Sequence, residues 1–147
     1  MSNGFSISTK NYSEAIDSSN DFYLQFQNFN FEAEAMVIKI LHRLLEKFDI
    51  QYIRETVVNV VKELVNNAVK ANVKRIYFQI NELDINKPED YRSGMETFKE
   101  ETYRPDDTSY LDHLPASDLF VRILFGIGDT HLRISIINNT PILDVEL

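Results

Sequence analysis

Apolar residues of "FEAEAMVIKILHRLLEKF" recur every three or four positions, at Ala33, Met36, Val37, Ile40, Leu41, Leu44 and Phe48. This predicts an amphipathic helix over 31–48. A second helical pattern fills "IQYIRETVVNVVKELVNNAVKAN", 50–72. Aromatic and β-branched runs predict strands over 22–29, "FYLQFQNF", and 74–80, "KRIYFQI". Toward the C-terminus, "DLFVRILFGIGDTHLRISIINN" predicts two strands joined by a turn at "GIGD". The polar stretch 81–117 is too long for a plain connection and reads as an insertion that covers a site or binds a partner. Pro88 and two following acids start one short helix within it, with Tyr91, Met95 and Phe98 as its buried edge. Residues 1–20, rich in Ser, Asn and Asp, read as a flexible lead-in. Helices grouped ahead of the last strands predict an α/β fold over 21–147, a two-layer α/β sandwich with helices on one face of a mixed sheet.

The second helix divides cleanly. Thr56, Asn59, Lys62, Glu63, Asn66, Asn67 and Lys70 fall on one side. Val57, Val58, Val60, Val61, Leu64, Val65, Ala68, Val69 and Ala71 fall on the other, which predicts a helix lying flat on a large apolar surface. The polar side is either a solvated face or a site. Its composition favours a site, because each Asn costs on the order of 0.5 kcal/mol relative to Ala in a helix. Glu63, Asn67 and Lys70 line one ridge. A carboxylate that takes a proton, an amide oxygen suited to magnesium and an ammonium suited to phosphate together make a nucleotide constellation.

Composition narrows the partners. The formal charge of −8 argues against nucleic acid, whose binding relies on Lys and Arg releasing counterions. The absence of Cys excludes disulfides, thiolate zinc sites and thiol catalysis. No run of eighteen apolar residues supports membrane insertion, and the polar start lacks a signal-peptide pattern, so a cytoplasmic protein is expected. The scattered His42, His113 and His131 read as surface residues. "GIGDTH" lacks the third glycine of a dinucleotide fingerprint, and the acidic stretches lack EF-hand spacing. The aromatics between Phe22 and Phe31 read as core rather than a base-stacking platform, given the acidic charge.

"ELVNNAVKA" resembles the N box of the GHKL superfamily, which includes gyrase and the histidine kinases, and within it the small bacterial histidine-kinase-like ATP-binding domains. Glu63, Asn67, Ala68 and Lys70 fit that box. The resemblance implies a Bergerat-type, histidine-kinase-like ATPase fold, incomplete at its C-terminus because the family's lid, second glycine-rich motif and last strands are missing, so that either the chain is a fragment of a longer protein, the favoured reading, or a partner completes the site. It implies Glu63 as general base, Asn67 as the magnesium ligand and Lys70 as a phosphate contact, with Asn66 and Asn59 as weaker candidates on the same surface. In the family's next motif an Asp binds the adenine amine and two glycines make room for the base. Here Asn138 takes the place of the Asp, and Thr140 and Ile142 replace the glycines. The function so implied is an ATP-binding, magnesium-dependent kinase or ATPase domain of a bacterial-type signalling protein, with ATP and a protein phospho-acceptor or signalling partner. Homodimer formation stays open. The alternatives are a degenerate, non-catalytic interaction or sensory module on the same scaffold, and a regulatory α/β domain that never bound nucleotide.

Overall fold

Phe22, Leu24 and Phe26 are buried while Tyr23 and Gln25 between them are half-buried, so β2 (Phe22–Phe26) has one inward and one outward face. The same alternation runs through β3 (Val121–Ile127), with Val121, Ile123, Phe125 and Ile127 inside. A computed structural model describes residues 4–102 and 110–140, except for the side chains of 99–102. The chain forms two units, one from 1–69 and 120–138, the other from 70–119 and 139–147.

The first unit holds a four-stranded sheet in the order β1-β2-β3-β4, with β1 at Phe5–Ile7 and β4 at Leu132–Asn138. Every pairing is antiparallel, so the expected mixed sheet is corrected to an antiparallel one. Phe22 pairs with Phe125, and Phe125 with Ile134, which places aromatic and aliphatic side chains opposite one another on the inward face. The two last strands form the hairpin read from sequence. Gly128 N–H donates to the His131 carbonyl at 2.9 Å, which closes the turn.

Helix α2 (Phe31–Lys47) matches its predicted period. Ala33, Val37, Ile40, Leu41, Leu44 and Leu45 are buried, and each large one contributes roughly 1.5–3 kcal/mol by leaving water. Its start is set by Asn30, whose side-chain oxygen accepts from the Ala33 N–H at 2.9 Å. The segment expected as a flexible lead-in is instead built into this unit. It contains β1, paired with β2, and helix α1 (Tyr12–Asp17), whose Ala15 and Ile16 are buried. Lys47 of α2 donates to the Ile16 carbonyl at 2.6 Å, and Arg43 is paired with Asp17. The Ser and Asn content that suggested mobility serves as a cap, since Asn11 accepts from the Glu14 N–H at 3.1 Å.

Helix α3 (Arg54–Ile80) overruns its expected end and absorbs the strand predicted over 74–80. Val69, Asn72, Val73, Ile76 and Tyr77 are buried at spacings of three and four, the helical period rather than the alternation of a strand. No Gly or Pro stands between Arg54 and Lys87 to stop it. In the second unit α3 ends with the Leu83 N–H donating to the Phe78 carbonyl at 2.9 Å, leaving Glu82 at φ 54°. Helix α4 (Pro88–Thr102) follows, with Phe98 buried and Tyr91 and Met95 half-buried as expected. The unit is held by aromatic packing. The Tyr77 ring lies 5.4 Å from Phe98 and 5.2 Å from Tyr110 at steep angles.

Helix α2 closes by the same bonding as α3. Ile50 N–H reaches the Leu45 carbonyl at 2.9 Å, and Asp49 sits at φ 55°. A non-glycine residue pays for that left-handed backbone, so Asp49→Gly is expected to raise stability by about 0.5–1 kcal/mol. A higher urea midpoint checks this; an unchanged or lower one would show that Asp49 earns its place through its side chain.

Candidate functional site

Helix α3 sets the candidate side chains by its period, and in the first unit Glu63, Asn66 and Asn67 are all exposed. Glu63 and Asn67, four residues apart, point the same way along the helix. Among the described residues they make no side-chain hydrogen bond or ion pair. Their neighbour Lys62 is engaged: its Nζ lies 2.8 Å from Glu34 on α2, which ties the two helices on their polar side. Asn59 is exposed as well.

The apolar side is narrower than the sequence pattern suggests. Val61, Val65 and Val69 are buried, and Val57, Val58, Ala68 and Ala71 are half-buried. Val60 and Leu64, expected against the sheet, are 50% and 48% exposed. The expected flat burial of more than half the helix is therefore corrected to a single buried ridge with an uncovered apolar flank.

Asn138, seventy residues away in sequence from Ala68, closes β4 against this helix. Its Nδ2 donates to the Ala68 carbonyl at 3.2 Å. The strand end is thereby bonded to the residue after Asn67, and the carboxamide oxygen of Asn138 is directed by that bond. The sequence reading grouped Asn138 with Glu63 and Asn67 through motif order alone; the structure bonds it to the residue after Asn67.

In the second unit, Lys70 is exposed. Asn72 is fully buried and accepts a hydrogen bond from the Thr140 hydroxyl through its side-chain oxygen. Asn139 donates to the Asp118 carbonyl at 2.8 Å. Asn72 is the residue that sequence reasoning passed over. The available signal was its place between Val69 and Val73 on the buried period, where an amide requires a partner. Ile142 lies outside the described residues.

An exposed carboxamide without a partner fits one position of a magnesium octahedron whose other positions are filled by phosphate oxygens and water. Glu63, equally open, fits a proton-accepting role beside it. Among the described residues, one cavity of about 250 Å³ lies beside Gly4, Gln25 and Phe120, and another of about 320 Å³ beside Leu45, Val57 and Ile134. Neither is lined by Glu63, Asn66, Asn67 or Asn138. Among the described residues, no three His, Asp or Glu side chains converge on a metal position. No helix among them is long and apolar enough to cross a membrane.

No family model matches the chain. No solved structure matches it. An uncharacterised protein of Treponema pallidum (strain Nichols) is 32% identical over 108 residues, which cover 74% of this chain and 21% of that protein. The chain thus spans about a fifth of the length of the curated relative it matches.

Proposed function

We propose that the Glu63–Asn67 surface is the N box of a histidine-kinase-like ATP-binding domain of Bergerat type, working in a cytoplasmic signalling protein. The observation that carries the reading is the bond from Asn138 to the Ala68 carbonyl. On this reading it joins the strand end assigned to the adenine to the helix turn assigned to magnesium. In this reading Asn67 holds magnesium through its carboxamide oxygen. Glu63 accepts the proton of the attacking water or acceptor hydroxyl. The carboxamide oxygen of Asn138 accepts from the exocyclic amine of the base. When bound, magnesium and ATP supply an activated phosphoryl group with its charge partly neutralised.

Millimolar ATP with magnesium is expected to raise the protein's melting temperature. Saturation a hundredfold above Kd corresponds to about 2.7 kcal/mol of stabilisation. Asn67→Ala is expected to abolish that shift, whereas Glu63→Ala keeps the shift and blocks phosphate release or transfer. An unshifted wild-type protein would end the reading.

One observation favours the alternative, a non-catalytic interaction or sensory module. Thr140 stands where the family clears space with glycine, and its hydroxyl is committed to the buried Asn72. That arrangement trades room for a base against a fixed chain path. The module predicts no ATP-dependent shift at all, so the same measurement separates the two.

A further inference from the structure

Among the described residues the sheet has two edges, and they are built differently. β1 offers three residues, whereas β4 offers seven, paired with β3 at every position without a bulge. β4 contains no Lys, Pro or Gly, the residues that commonly blunt an exposed edge. Inward side chains are buried throughout β3, but Leu132, Ile134 and Ile136 on β4 are only half-buried. The core is therefore open along this edge. The cavity of about 320 Å³ lies there, with Leu132 and Ile134 on one wall and Ile53 and Val57 on another. Val60 and Leu64, three and seven residues beyond Val57, continue the same ridge of α3 as exposed apolar surface.

We propose that this edge is a homodimer interface, in which β4 pairs antiparallel with β4 of a second copy about a two-fold axis at Ser135. The strand is its own complement. In the register that uses all seven residues, Ile134 faces the partner's Ile136, Ser135 faces the partner's Ser135, and Arg133 faces the partner's Ile137. Inward residues meet inward residues, and the partner's Ile136 arrives beside the cavity wall formed by Ile134. β4 has one charged residue and no acid, so no like charges stand opposite one another despite the acidic chain. Because one patch meets itself, the contact closes at two copies rather than growing into a filament. A strand from another protein would have to reproduce the alternation that β4 already carries.

Position 137 tests the register without touching the core, since Ile137 is 45% exposed on the outer face. Sedimentation equilibrium of the wild-type chain is expected to show a monomer–dimer equilibrium. Ile137→Lys sets a cation opposite the partner's Arg133 twice per dimer and is expected to weaken association. Ile137→Glu sets a carboxylate there and is expected to tighten it relative to Ile137→Lys, with the two Kd values roughly two- to thirty-fold apart. Arg133→Glu combined with Ile137→Lys should restore association. A wild-type chain that stays monomeric at hundreds of micromolar overturns the proposal and leaves the edge to a strand of another polypeptide. Lys and Glu variants with equal Kd overturn it too.

Discussion

Phe125→Ala is expected to lower the stability of the first unit by about 3–5 kcal/mol, the range for removing a buried aromatic side chain. Phe125 is 1% exposed on β3, a strand with neighbours on both sides. Its ring centroid lies 5.1 Å from that of Phe22. Truncation removes that contact and leaves a void that the two hydrogen-bonded neighbouring strands have little freedom to fill. Domains of this size hold only about 5–15 kcal/mol in total, so the variant stands close to unfolding. Leu124, one residue earlier, is the internal control. It faces outward and is half-buried, so Leu124→Ala is expected to cost less than half as much. Urea denaturation of the two variants checks the assignment of inward and outward faces, and equal losses would refute it.

Gly94→Val is expected to cost the second unit about 2–3 kcal/mol through overpacking. Two effects oppose each other here. Gly is a poor helix former, and any side chain would gain several tenths of a kcal/mol in helix propensity. Against this, a Cβ at Gly94 would lie 2.5 Å from Cζ of Phe78, 2.9 Å from its Cε2 and 3.0 Å from Cδ1 of Leu83. Phe78 is 1% exposed and packs against Tyr77 and Tyr91, so its ring has no free direction of retreat. Sterics therefore outweigh propensity. Hydrogen exchange is the measurement: amides of α4 and of 70–80 should lose protection in Gly94→Val, while those of β2 and β3 keep it. Unchanged exchange in α4 would show that the Phe78 side chain yields at little cost.

Much of the fold was legible because it follows from local periods. The three- and four-residue spacing of α2 and the alternation of β2 and β3 each need only a short window of sequence, and the hairpin at Gly128 needs less. The end of α3 was not legible. "KRIYFQI" has strand propensity, but Tyr77 and Phe78 gain more by packing with Phe98, Tyr110 and Tyr91 than helix propensity costs them, and that gain depends on residues far along the chain. The helix ends gave no warning either, since Asp49 and Glu82 occupy left-handed positions where a glycine would have marked the stop.

The candidate site divides in the same way. The sequence by itself determined that Glu63 and Asn67 share one side of a helix, because 3.6 residues per turn leaves them no alternative. It also determined the self-complementary alternation of β4. Tertiary structure alone decided that Val60 and Leu64 stay uncovered, that Asn72 is buried against Thr140, and that Asn138 reaches the Ala68 carbonyl. Helical phase and strand alternation are properties of neighbouring residues, whereas the partner of a buried amide and the cover over an apolar ridge are set by where distant segments come to rest.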